Sequence, residues 1–289
     1  MIRSKPLGMS KLQHFDPWET ADGDDWVPMP KNFAHIASRN NLNTYINEWT
    51  PAATADSSWV GNKHLACAMW DLCSEIKAQL LMSGLPHLDV RICGGAARDY
   101  VFNVSEPPKD IDIFVTGLSE EKTEINLAGG SVLAAINALR GASLQEKSAI
   151  KEIGSDSDIT VSCNAPFTVR FNITSLDGTV TSVEVMGFSG PLRDILEDSD
   201  WEETSFAIGI CKLPKTGTVT VQTPHSLSDI VCSTKLGFNN LGIRDPSRTL
   251  ERGLRNAKRL RKSMDYGDLV EIFAMIGLSY DEPLELISP

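Results

Sequence analysis

Asp110 and Asp112 flank a single isoleucine in the run KDIDIFV at 109–115. On a strand, residues i and i+2 point to one face, so both carboxylates project together. Ile111, Ile113 and Val115 then point the other way, into a core. Two bare carboxylates a few ångströms apart repel, and one pKa rises unless a cation sits between them. A pair of Mg²⁺ ions about 4 Å apart, bridged by such carboxylates, is the arrangement used in phosphoryl and nucleotidyl transfer. Two other Asp-x-Asp pairs, Asp156–Asp158 and Asp198–Asp200, have serine between the acids and read as solvated turns. An EF-hand is excluded, because Phe114 stands where that loop needs a third oxygen ligand.

The company of the first pair gives it meaning. Gly94-Gly95 lies fifteen residues upstream of Asp110, after a short apolar run. Glycine lets backbone approach a ligand closely, and free N–H groups at a helix start bind phosphate. Arg98, one turn on, can add charge-assisted hydrogen bonds to the same oxygens. Asp99 reads as the residue that orients Arg98 or caps the turn.

These residues need elements to position them. Leu65, Met69, Leu72, Ile76 and Leu80 recur at helical spacing. His64 and Cys67 share that helix and read as packing rather than metal ligation. A strand over 89–93, a helix over 96–103, a strand over 110–116 and a helix near 131–140 follow. FTVRFNITS and TVTSVEVMGF alternate around Asp177-Gly178, a hairpin signal. SFAIGICKL and TVTVQT flank PKTG as a second hairpin, a short helix near 226–236 follows, and a basic helix begins at 246. The expectation is an α+β fold with a mixed sheet flanked by helices, then a small helical neck. Residues 1–58 read as an irregular acidic arm, 59–240 as a head, and 241–289 as the basic neck with a short tail. Four of the six tryptophans, at 18, 26, 49 and 59, fall in or just after the arm. They would pin it to the body or offer a platform to a protein partner or a base.

In this setting VRICGGAARDYVF…PPKDIDIFV resembles the nucleotidyltransferase head of the polymerase-β-like superfamily. It is most similar to the class II group, the CCA-adding enzymes and bacterial poly(A) polymerases. Their signature is a Gly-Gly-x-x-Arg-Asp turn followed by a Lys-Asp-x-Asp strand; the spacing here is about two residues longer. SVEVMGF looks like the family's later strand, which implies Glu184 as an acid near the metal aspartates. LEDSDWEETSFAIGI resembles the family's Arg-Arg-Asp-Phe-Thr-x-Asn segment, with Trp201, Glu202 and Glu203 where the family has arginines. RDPSRTLERGLRNAKRL resembles the Glu-Asp-x-x-Arg neck helix, with Arg244 in place of the glutamate. By that match Asp245 and Arg248 would contact the incoming base, with Arg252 beside them.

The residues of that neck carry their own reading. Asp245 is a good N-cap and Pro246 a good first helical residue. Leu250, Leu254, Ala257, Leu260 and Met264 form one stripe, and Arg248, Arg252, Arg255, Arg259 and Lys262 a second. The second stripe is either a solvated face or a cationic wall for a triphosphate or an RNA backbone.

The whole chain sets limits. With 289 residues, 42% hydrophobic and 22% charged, it is an ordinary globular composition able to bury a large core. Its net charge of −11 argues against a protein coated in nucleic acid. Residues 244–262 nevertheless hold eight Lys or Arg against Asp245 and Glu251. No run of eighteen apolar residues suggests a membrane span, and the N-terminus lacks a secretory h-region. The six cysteines form no CxxC pair and read as buried reduced thiols, as in cytoplasm.

The expectation is a metal-dependent nucleotidyltransferase. Asp110, Asp112 and Glu184 would be catalytic, with Asp110 and Asp112 holding two Mg²⁺. Gly94, Gly95, Arg98, Asp245, Arg248 and Arg252 would bind the nucleotide, ATP or CTP. The acceptor would be an RNA 3′ end reached through helix 246–262, or else a protein or small molecule. The alternative is a catalytically silent binding or regulatory protein on the same scaffold.

Overall fold

Alternation along the strand that carries the two aspartates organises the molecule. In the computed structural model Ile111, Ile113 and Val115 are fully buried, whereas Asp110 and Asp112 are on the other face. The structure describes residues 13–15, 33–49, 63–104, 106–145, 147–154, 158–160, 166–211 and 217–279. In chain order the strands are β1 (Gln13–Phe15), β2 (Phe33–Arg39), β3 (Leu42–Trp49), β4 (Asp89–Cys93), β5 (Asp110–Leu118), β6 (Ile150–Ile153), β7 (Asp158–Thr160), β8 (Phe167–Ser175), β9 (Val180–Ser189), β10 (Ala207–Cys211) and β11 (Gly217–Thr223). The helices are α1 (Lys63–Met82), α2 (Gly94–Val101), α3 (Lys122–Leu144), α4 (Leu192–Glu197), α5 (Leu227–Cys232), α6 (Pro246–Leu260) and α7 (Tyr266–Ser279).

All eleven strands join one mixed sheet in the order β1-β2-β3-β11-β10-β4-β5-β9-β8-β6, with β7 paired on β8. The β5–β9 pair is parallel; the other pairs are antiparallel. Parallel neighbours need a long crossover. Here it contains α3, which lies against α1 and against β6, β8 and β9. α3 is the one described helix long and apolar enough to cross a membrane. Its Ala128, Val132, Ala135, Ile136 and Leu139 are buried in the core instead. The expected hairpins are present as β8–β9 and β10–β11.

Three expectations change. Residues 33–49, assigned to an irregular arm, form the β2–β3 hairpin, and β3 pairs with β11 from Asn43↔Thr223 to Trp49↔Gly217. Asn40 and Asn41 turn it with φ of 52° and 59°, the double left-handed turn that asparagine tolerates. The arm also supplies β1, paired on β2; Trp18 and Trp26, with Trp59 just after the arm and Asp156, lie outside the described residues. Second, Asp200 is not solvated but buried. Third, the head-facing side of α6 is Thr249, Gly253, Asn256 and Leu260, while Leu254 is exposed. Trp201 explains the shift: it is fully buried, its Nε1 donates to Thr249 O at 3.0 Å, and a Cβ on Gly253 would fall 2.4 Å from its ring.

Candidate functional site

The turn from β4 into α2 meets the aspartate strand edge to edge. Cys93 is the register partner of Asp112, so α2 begins directly beside that carboxylate. The helix starts at Gly94 itself, and no side chain caps it. Gly94 has φ +64°, and a Cβ there would lie 2.7 Å from Asp112 Oδ2. Both facts demand glycine. Gly94→Ala is therefore expected to cost about 1–2 kcal/mol for the left-handed backbone and to push the Asp112 carboxylate from its place. A urea midpoint should fall modestly, and any cation-dependent thermal shift should fall far more. An unchanged cation response would contradict the argument.

β9 brings the third acid. Glu184 is the register partner of Asp112 on the adjacent parallel strand, and Ser182 that of Asp110. Glu184 does not point freely at the pair, because Arg170 of β8, its own register partner, meets its Oε1 at 2.8 Å. Burial raises the Asp112 carboxyl to about 7, and the charges of Asp110 and Glu184 push the same way; Arg170 pulls it down. A cation beside the pair would favour its charged form. Among the described residues no three His, Cys, Asp or Glu side chains converge closely enough to hold a metal ion. Mg²⁺ does not need three: it keeps several waters and is held by one or two carboxylates plus substrate phosphates. Asp110 and Asp112 fit that requirement.

Both aspartates line a cleft of about 1400 Å³. Gly94, Gly95 and Arg98 line it with them, and α6 supplies the facing wall through Arg252, Arg255, Asn256, Lys258 and Arg259. The basic helix thus lines the same cleft as the acidic pair. Much of its charge is already committed to acids of the head, however. Asp99, nearly fully buried, takes Arg98 Nη2 at 2.6 Å and Arg259 Nη2 at 2.8 Å. Asp200 takes Arg252 at 2.5 Å and the Thr249 hydroxyl at 2.8 Å. Glu203 takes Lys262 at 2.8 Å with both side chains buried. Arg255 and Lys258 are exposed, line the cleft and carry no ion pair among the described residues.

The expected nucleotide contacts therefore divide. Gly94, Gly95 and Arg98 stand beside the aspartates, with Arg98 held by Asp99 and Asn256. Arg252 lines the cleft but is tied to Asp200. Asp245 and Arg248 are not in the cleft lining. Asp245 Oδ1 accepts from the Arg248 N–H at 3.2 Å as the N-cap, and Arg248 Nε lies 3.4 Å from Asp245 Oδ2. Sequence reasoning did not single out Arg170 or Asn256. Pairing across the Asp177-Gly178 hairpin would have put Arg170 opposite Glu184.

No protein-family model matches the chain, and no curated protein is significantly similar to it. Among solved structures it is similar to the Thermotoga maritima CCA-adding enzyme complexed with tRNA, at 11% identity and a TM-score of 0.47, covering 76% of this chain and 46% of that one. A tRNA-processing enzyme in an apo form matches at 17% identity and TM-score 0.47, over 74% of this chain and 49% of that one. A CCA-adding enzyme with CTP matches at 11% identity and TM-score 0.46, over 76% and 45%. The chain spans about half the length of these proteins.

Proposed function

We propose that this protein is a metal-dependent nucleotidyltransferase, moving a nucleoside monophosphate from a nucleoside triphosphate to an acceptor hydroxyl. One observation carries the reading. Asp110 and Asp112 project from one face of β5 into a cation-walled cleft, against a glycine turn so close that Asp112 excludes a Cβ at Gly94.

Asp110 and Asp112 would hold Mg²⁺, which when bound supplies charge neutralisation at the reacting phosphate and lowers the pKa of a coordinated hydroxyl. The chain's own residues do the rest. The Gly94-Gly95 turn lets the phosphates approach backbone, and the start of α2 presents its dipole to them. Asp99 and Asn256 fix the Arg98 guanidinium against that turn. Arg170 neutralises Glu184, so the local excess of negative charge rests on the two aspartates. Phosphoryl transfer asks mainly for positioning and electrostatic stabilisation, which this arrangement provides.

An RNA 3′ end is the acceptor we favour, because Arg255 and Lys258 remain available on the cleft wall for a phosphate backbone. ATP or CTP is the nucleotide implied by the motif resemblance. The test is incubation with each labelled nucleotide, Mg²⁺ and total RNA. Label should appear in RNA and vanish with Asp110→Ala. Label in protein or small products would keep the chemistry and replace the acceptor. No label with any nucleotide would leave the silent-scaffold reading.

A further inference from the structure

Asn256 lies on the head-facing side of α6, is 3% exposed and lines the cleft. Its Oδ1 accepts a hydrogen bond from Arg98 Nη1. A guanidinium only donates, so this contact fixes which way the carboxamide points. Nδ2 is left as a pure donor, and it is buried without a hydrogen-bond partner among the described residues. A buried donor with no acceptor carries its full desolvation cost, and native structures rarely tolerate one without a reason.

The surroundings say what would satisfy it. Arg98 and Arg259 flank it and share Asp99, while Arg255 and Lys258 on the same helix line the cleft with no ion pair among the described residues. A donor in such a field takes an anionic acceptor best. The Arg98 guanidinium that the carboxamide holds lies 3.6 Å from where a Gly95 Cβ would stand, so it links Asn256 to the glycine turn. Base reading fits poorly. Asparagine reads a base edge with both its oxygen and its nitrogen, and here the oxygen is taken.

We propose that Asn256 Nδ2 donates to a phosphoryl oxygen of the nucleotide's polyphosphate tail. The neck helix thereby completes, from the opposite wall, the phosphate seat that Gly94 and Gly95 begin. This rests on the nucleotidyltransferase reading for the ligand's identity, but its test does not need turnover.

Two variants separate a ligand contact from a structural one. Asn256→Asp keeps the oxygen that Arg98 needs and removes the donor; Asn256→Leu removes the donor without adding charge. Binding of ATP, CTP, inorganic tripolyphosphate and adenosine is measured by calorimetry, with melting temperatures as the check on folding. Losing a hydrogen bond to a charged group should weaken ATP, CTP and tripolyphosphate by about tenfold or more in both variants. Adenosine binding should not change. Asn256→Asp should melt close to wild type. Unchanged tripolyphosphate binding in Asn256→Asp would overturn the proposal. So would weakening in that variant alone, which is mere charge repulsion, or a wild-type protein that binds no polyphosphate. Weakened binding in a protein that never transfers nucleotide would keep this contact and sink the enzymatic reading. Normal transfer with unaltered binding in both variants would do the reverse.

Discussion

Asp112→Asn is expected to abolish nucleotide transfer, by on the order of 10³-fold or more, while raising the stability of the metal-free protein. The two effects have one cause. Asp112 is pushed to about 7 by burial first, then by the charges of Asp110 and Glu184. Asparagine has the same shape but brings no charge into that cluster, so the folded state no longer opposes ionisation. It also cannot supply the anionic oxygen that a divalent cation needs. The pH dependence follows in sign. With the folded pKa raised, the folded protein keeps a proton that the unfolded chain releases near the ordinary aspartate value of about 4. That contribution is fully present below the unfolded value and is lost as pH rises through about 7. In EDTA the melting temperature of the wild type should therefore fall between about pH 4 and 7. Mg²⁺ should restore it at the upper end, where the carboxylate is free to bind. Asp112→Asn should flatten the pH curve and lose the Mg²⁺ response. If it melts below wild type at pH 8 in EDTA, or still responds to Mg²⁺ in full, Asp112 is not the strained metal ligand described here.

The aspartate half of the site was legible because it depends on local rules. A period of two put Asp110 and Asp112 on one face, and adjacent glycines marked a turn that no other residue could make. The neighbour of Asp112 on β9 needed a topology, which the resemblance suggested and the parallel β5–β9 register provides. Arg170 was within reach: the Asp177-Gly178 turn sets the β8–β9 register, and that register pairs it with Glu184. The neck was not legible in the same way. Leucine periodicity pointed to Leu250 and Leu254, but Leu254 is exposed and the docking face is Thr249, Gly253, Asn256 and Leu260. Those residues are chosen by Trp201, Asp200 and Arg98, more than forty positions away, so no hydrophobic pattern announces them. The β2–β3 hairpin was hidden for a simpler reason. Its Asn40-Asn41 turn is a fair signal, but the breaker-rich stretch before it dominated the reading.

Trp201, Glu202 and Glu203 stand where the resembled family places arginines, and the structure gives two of them a task in docking the neck. Trp201 packs on Gly253, and Glu203 binds Lys262 at 2.8 Å with each side chain almost completely buried. Glu203 also accepts from Gly237 N–H, and Lys262 lies over the Phe102 ring at 4.9 Å. Burial pushes the glutamate's pKa up and the lysine's down; each partner opposes that shift in the other. Removing one partner leaves a buried charge without compensation, so Lys262→Met is expected to cost about 3–5 kcal/mol. The pH dependence should differ between the two single variants. In Lys262→Met the lone Glu203 has a raised folded pKa, so the penalty is small in acid and grows as pH rises through that value. In Glu203→Gln the lone Lys262 has a lowered folded pKa, so the penalty is largest at low pH and shrinks as pH rises through it. The double variant Glu203→Gln/Lys262→Met removes both charges while keeping an acceptor for Gly237, and should recover a large part of the loss. Urea unfolding of the four proteins at pH 5, 7 and 9 gives every term. Parallel pH slopes in the two single variants, or additive losses in the double, would mean that the pair is not the buried clamp that seats the basic helix over the cleft.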